Sequence, residues 1–139
     1  MRCATVRVRY AETDAMGIAY HANYLVWFEV ARNEWFRSSQ IDYRDVEAQG
    51  VMLPVLEVRC QYRSPARYDD LVSIDAVVSA LTPTRIEFGY RLSREGDHVI
   101  LAEGKTVHAF VNKEGRPVNL RKANPTLWQI LSQLADSTQ

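Results

Sequence analysis

The chain lacks the features that would mark it for a disulfide framework, a metal site or a membrane. Its 139 residues hold two cysteines, Cys3 and Cys60, with no histidine or cysteine two to four residues from either. That spacing excludes a paired-cysteine scaffold and a Cys/His metal site, so reduced thiols are expected. Charge of either sign is not in excess: 17 Lys plus Arg offset 17 Asp plus Glu, for a formal net charge of zero. A binder of nucleic acid or of an anionic membrane surface would show a basic surplus, and neither partner is expected. A local basic pocket for a phosphorylated ligand stays compatible with that balance. No apolar run approaches bilayer-spanning length. The opening "MRCATVRVRY" has neither a signal core nor transit-peptide character, so the cytoplasm is the expected location. The Gly-rich phosphate loop and the G-x-S-x-G elbow are missing as well. His98 and His108 have no partners at ligand spacing. Neither a metal nor a cofactor is expected.

What is present is an ordinary globular composition, 47% hydrophobic and 24% charged, at a length that predicts one domain over 1–139. A domain this small gains from oligomerisation. "ATVRVRYAE" alternates, which predicts a half-buried strand with Val6, Val8 and Tyr10 on one face and Arg7 and Arg9 on the other. Residues 12–20, with Gly17, follow no single period and read as a loop. From about His21 to Ser38 the period becomes helical, with Tyr24, Trp27 or Phe28, Ala31 and Trp35 recurring. Leu25, Val26, Trp27, Phe28 and Val30 form a nearly continuous apolar run, which predicts a helix buried on most sides. "IDYRDVEAQG" reads as a short helical turn closed by Gly50. Four strand-like stretches follow: "VLEVRCQYR", "LVSIDAVVSAL", "RIEFGYRLSR" and "VILAEGKTVHAFVN". The turns between them are "PARYDD", "TPT" and "EGDH". A last helix, about Pro125 to Ala135, offers Leu127, Ile130, Leu131 and Leu134 as its apolar stripe. Consecutive hairpins predict an α+β fold, a mostly antiparallel sheet curled around one long helix.

Two stretches carry a resemblance. "ETDAMGIAYHANYLVWFEVAR" looks like the D-x-x-G-x-x-[YF]-H/Y-x-x-Y signature of hotdog-fold acyl-CoA thioesterases of the 4-hydroxybenzoyl-CoA thioesterase type. "YRSPARYDDLVSI" is similar to the Y-x-x-P-A-x-x-x-D that precedes the third strand in that family. The first motif is the more specific; the second mainly sets a turn. The resemblance covers roughly Thr5 to Asn119. It implies a hotdog fold, a five-stranded antiparallel sheet wrapped around a long central helix, and a thioester hydrolase acting on acyl-CoA. It also implies a homodimer whose sheets join edge to edge with active sites at the interface, often a homotetramer as a dimer of dimers.

Thioester hydrolysis needs a polarised carbonyl and a supplied or activated nucleophile. A carboxylate-bearing loop just before a helix can serve both needs, because the helix start offers free N–H groups and a positive dipole end. Asp14 matches the family's catalytic carboxylate, as nucleophile or as general base on water. Taken bare, it is also a loop Asp bonding nearby backbone N–H groups. His21 falls where the family uses a backbone N–H to polarise the carbonyl, which leaves its imidazole lining the pocket or structural. Gly17 matches the glycine that lets the loop approach the thioester, and a positive-φ turn asks for the same residue. Tyr20 and Asn23 are substrate-binding candidates. Packing is the alternative for Tyr20, and for Asn23 it is capping the helix. Glu29 matches a position that contacts the acyl group in some members and is the fallback catalyst, against a simple pairing with Arg32 or Asn33. Glu12, on an extended segment, points away from Asp14. Arg63, Arg67 and Arg85 are candidates for CoA phosphates. His108 reads as a packed or edge strand residue. The alternatives to an acyl-CoA thioesterase are an acyl-carrier-protein thioesterase and a non-catalytic acyl-CoA-binding hotdog module.

Overall fold

The strong two-residue alternation of the chain's second half builds one sheet, and the single long apolar helix covers it. The computed structural model describes residues 2–39, 41 and 43–138. In chain order the elements are β1 (Arg2–Arg7), a 3-10 turn (Tyr10–Glu12), α1 (Asn23–Ser38), α2 (Tyr43–Ala48), β2 (Val55–Tyr62), β3 (Leu71–Thr82), β4 (Arg85–Arg94), β5 (Ile100–Ala109), α3 (Leu120–Ala123) and α4 (Pro125–Thr138). The expected α+β hotdog architecture is present: five antiparallel strands in the order β1-β3-β4-β5-β2, with α1 laid on one face. Among the described residues no helix is long and apolar enough to cross a membrane.

The strand order corrects one expectation. The sequence reads as four strands in a row joined by tight turns, but only β3, β4 and β5 form a meander. β2 pairs with β5, from Glu57 opposite Val107 to Tyr62 opposite Ala102. The chain from 63 to 70 therefore crosses between strands that are not neighbours. A two- to five-residue hairpin could not do this, and eight residues can. The consequence is that α1 connects the two edge strands, β1 and β2, and must lie across the sheet between them.

The core follows from the pleat. Val72, Ile74, Ala76 and Val78 of β3 and Ile86, Phe88, Tyr90 and Leu92 of β4 point inward and are buried, as their alternation predicts. Against them α1 buries Tyr24, Trp27, Phe28, Ala31, Trp35 and Phe36. Each large ring removed from water contributes roughly 2–3 kcal/mol. Phe28 stacks on Tyr90 with centroids 4.4 Å apart. That approach depends on Gly104 of β5, where a Cβ would stand 2.6 Å from the Phe28 ring and 2.4 Å from the Arg59 carbonyl.

Two burial expectations fail. Tyr10 leaves the β1 face and stands 77% exposed, because the chain turns into the 3-10 turn just after Val8. α1 is not buried on most sides: Leu25 and Val26 are 38% and 50% exposed. The helix packs on β1 and β3 and leaves the β2 end uncovered, where Val55, Leu56, Val58 and Tyr62 are exposed too. The C-terminal helix holds Leu127, Leu131 and Ala135 in the core, with Leu134 half-buried and Ile130 at the margin.

Candidate active site

The acid-bearing loop folds back on itself. The Asp14 N–H donates to the Ile18 carbonyl at 2.9 Å and the Gly17 N–H to the Asp14 carbonyl at 3.0 Å. Gly17 has φ +78 with nothing within 4 Å of a built Cβ. Glycine is needed here for the left-handed backbone and not for room. The Met16 N–H donates to Asp14 Oδ1 at 2.9 Å, a local turn bond of the kind Asp favours. The other carboxylate oxygen has no partner among the described residues. The turn-holding alternative is thus present at one oxygen, and the second oxygen has no bond that would oppose a further role.

Past the turn, the Ala19 N–H donates to the Ala66 carbonyl at 2.8 Å, and Ile18 bridges to Arg67. The Tyr20 N–H reaches the Glu12 carbonyl at 2.8 Å. The side-chain amide of Asn23 donates to that same carbonyl at 2.8 Å. Asn23 is therefore not the helix cap. The cap position is Ala22, already in helical φ/ψ and making no side-chain bond. With no capping side chain, the N–H groups of His21 and Ala22 find no acceptor among the described residues. They stand at the positive end of the α1 dipole.

Asp14 and His21 open onto one cleft of 280 Å³. Met16, Ile18, Tyr24 and Tyr62 form its apolar walls, and Arg63, Ser64 and Pro65 close it. The sequence reading missed Tyr62, Ser64 and Pro65 as site residues. Tyr62 is the first letter of the second motif, but that motif reads as a turn. Its hydroxyl donates to the His21 carbonyl at 2.8 Å, which ties the helix start to β2. Tyr24 uses its hydroxyl to accept from the Ala66 N–H at 3.0 Å. Burial pushes the Tyr24 phenol up. Tyr62 is pushed up to about 12, first by desolvation and then by Cys60 beside it. Both phenols stay protonated near neutrality.

The remaining candidates lie elsewhere. The Tyr20 ring sits against His21 at 4.4 Å and is not among the cleft's lining residues. Asn23 spends its amide on Glu12 and does not line the cleft either. Glu29 is exposed on the same side of α1 as Leu25 and Val26, and the alternative pairing with Arg32 or Asn33 is not formed among the described residues. Arg32 donates instead to the Tyr90 hydroxyl at 3.2 Å. Glu12 is in the 3-10 turn and not on an extended segment; its carboxylate accepts from the Arg9 N–H at 2.8 Å. Of the three arginines, Arg63 is at the cleft and Arg67 faces Ile18, while Arg85 begins β4 at the opposite end of the sheet. His108 is fully buried, bonded to the Leu53 carbonyl at 3.1 Å and to Thr106 at 2.8 Å. Burial lowers its pKa to about 4, so it is a neutral packed residue, as its strand position suggests. A 400 Å³ depression on the outer sheet face is crossed by the Arg91–Glu103 ion pair at 3.5 Å and has no helix start in its lining.

The Asp14 carboxylate and the unbonded His21 N–H thus border one largely apolar cleft, an arrangement whose chemistry can serve acyl transfer to water. Residues 8–133 match the Thioesterase-like superfamily. The chain belongs to that family and is a hotdog-fold thioester hydrolase. It is 34% identical over 107 residues to the acyl-CoA thioester hydrolase YbgC of Escherichia coli, across 77% of this chain and 79% of that one. Among solved structures, the protein TT1821 of Thermus thermophilus superposes with a TM-score of 0.88 at 35% identity, covering 96% of this chain and 99% of the other. The DHNA-CoA thioesterase of Staphylococcus aureus superposes at 0.89 with 28% identity, covering 96% and 89%.

Proposed function

We propose that the protein hydrolyses acyl-CoA thioesters to the free acid and CoA, with Asp14 as the acting carboxylate. The thioester carbonyl oxygen accepts from the His21 backbone N–H at the start of α1. The dipole and the donor stabilise the negative charge as the tetrahedral intermediate forms. In one route Asp14 attacks the carbonyl carbon, the C–S bond breaks and a mixed anhydride forms. Water then hydrolyses the anhydride and restores the carboxylate. In the other, Asp14 takes a proton from the attacking water, and the departing thiolate receives it. Neither route needs a metal or cofactor. The observation that carries this reading is the free Asp14 oxygen on the same cleft as the unbonded His21 N–H. Gly17 shapes the turn so that the substrate can approach. The CoA thioester as substrate is supported by the naming of YbgC and of the staphylococcal enzyme. Arg63 at the cleft and Arg67 beside it are placed to meet phosphate groups.

The active unit in this proposal is a homodimer joined through β2. That strand pairs only with β5 among the described residues, so its other edge is open. It exposes Val55, Leu56, Val58 and Tyr62, and α1 exposes Leu25 and Val26. An open edge with an apolar face is a template for a second strand. Pairing there brings Glu29, exposed on the same side of α1, against the second copy and toward an acyl group bound between them.

The test is thiol release from aromatic and aliphatic acyl-CoA thioesters by the wild type and by Asp14→Asn. We expect turnover to drop on the order of 10²–10⁴-fold with the melting temperature unchanged. Wild-type turnover in the variant overturns the role of Asp14, and Glu29→Gln is then compared in the same assay. Label on Asp14 after a single turnover in ¹⁸O-labelled water, read by peptide mass analysis, establishes the anhydride route with water attacking the Asp14 carbonyl, since the general-base route puts the label in the product acid alone.

A further inference from the structure

The wall of the cleft opposite α1 is made by the crossover segment between β2 and β3, which has no regular structure of its own. Ser64 and Pro65 line the cleft. The Ala66 carbonyl accepts from Ala19, and the Ala66 N–H donates to Tyr24. The position of the Asp14 loop is therefore set by where this segment stands. Backbone bonds anchor its two ends, from the Arg63 and Ser64 N–H groups to the Leu101 carbonyl and between Val8 and Asp69–Asp70, but the Pro65 carbonyl between them is held by one side chain. Arg94, the last residue of β4, donates from Nη2 to the Pro65 carbonyl at 3.1 Å. It donates from Nε to Asp70 Oδ2 at 3.2 Å and from Nη1 to Asp97 Oδ2 at 2.8 Å. Asp70 Oδ2 also accepts the Arg67 N–H at 2.9 Å, which closes the turn at its far end. Among the described residues no backbone N–H reaches the Pro65 carbonyl. The Arg94 and Asp70 side chains are only 24% and 23% exposed, against 50% for Asp97.

We infer that Arg94 is a positioning residue of the active site: its guanidinium fork fastens the Pro65–Asp70 wall to the end of β4, and through Ala66 and Ala19 it sets the Asp14 loop against the start of α1. This inference rests on the proposed reading of the cleft as the thioester site. Arg94 touches no substrate. The path runs from Arg94 to Pro65 and Asp70, across the Ala66–Ala19 bond, and along the Ile18 carbonyl to the Asp14 N–H. A planar fork with three engaged nitrogens holds three partners in one fixed plane, whereas the three donors of an ammonium group rotate about a single nitrogen. Misplacing a reacting group by about 1 Å can cost on the order of 100-fold in rate, so a loosened wall reads out in kcat.

The experiment compares the wild type with Arg94→Gln, Arg94→Lys and Asp97→Asn in the full chain. Thiol release from acyl-CoA is measured together with amide hydrogen exchange over 12–22, 63–70 and 85–92. We expect Arg94→Gln to lower kcat about 10- to 100-fold with KM changed less than about threefold. Exchange should quicken in 12–22 and 63–70 while 85–92 stays protected. Arg94→Lys should fall between, because it restores the charge without the fork. Asp97→Asn removes the charge of the outer partner alone and should keep wild-type kcat and wild-type exchange in 12–22. Wild-type kcat and exchange in Arg94→Gln overturn the inference. So does faster exchange spread evenly into 85–92, or a loss in Asp97→Asn as large as in Arg94→Gln. If the wild type cleaves no thioester, the functional reading fails, and the exchange pattern by itself still decides the role of Arg94.

Discussion

The Tyr62 hydroxyl donates to the His21 carbonyl at 2.8 Å, linking an edge strand to the start of the central helix across 41 positions of sequence. The main chain of His21 carries both this bond, at its carbonyl, and the N–H that the proposal directs at the substrate carbonyl. Tyr62→Phe keeps the ring's contacts with Tyr24 and His21 and removes only the donor. One neutral hydrogen bond is worth about 1 kcal/mol, which corresponds to a loss of roughly five-fold in kcat. Steady-state kinetics check this. Unchanged kcat would mean that the bond plays no part in orienting the helix start.

Gly104→Ala tests the helix–sheet contact. The added methyl lies 2.6 Å from the Phe28 ring and 2.4 Å from the Arg59 carbonyl, and a carbonyl on a paired strand cannot swing away. Overpacking of this kind costs about 1–3 kcal/mol. Urea unfolding should show a lower midpoint at unchanged slope. A wild-type midpoint would show that β2 shifts freely.

Val58→Lys tests the β2 edge. Charge on an exposed edge strand blocks strand addition, and Val58 stands where the proposed partner covers it. The variant should elute as a monomer in size exclusion with light scattering, and thioester turnover should fall with it. A wild-type protein that is itself monomeric and active would sink the dimer.

His108 makes stability depend on pH. Its folded pKa of about 4 lies below the ordinary 6.5, so between those values the unfolded chain binds the extra proton. The stabilising effect is complete above about 6.5 and is lost as pH falls toward 4, at up to about 1.4 kcal/mol per pH unit. Comparing the wild type with His108→Gln in urea at pH 7.5, 6, 5 and 4 isolates the effect. The variant's curve should be flatter over that window, and parallel curves would refute the assignment.

Local regularities were readable where neighbours in sequence decide them. β4 runs from Arg85 to Arg94, as "RIEFGYRLSR" suggests, because alternation needs no distant partner. Asp14, Gly17 and His21 were legible as a motif because one short loop carries them. Asn23 was misread for the opposite reason. A polar residue at a helix start looks like a cap, but the 3-10 turn at Tyr10–Glu12 delivers a carbonyl that its amide bonds instead. Tyr62, Pro65 and Arg94 could not be picked out as one unit, since Arg94 meets Pro65 across 29 positions.

The sequence by itself determined the main strands and helices, the family and the acid on its loop, since periodicity and turn chemistry act over a few residues. The tertiary structure decided that β2 leaves β3 to pair with β5, that α1 stays open at its β2 end, and which distant side chains hold the cleft together. Those outcomes depend on strand pairing and on hydrogen bonds between segments far apart in the chain, which no local pattern encodes.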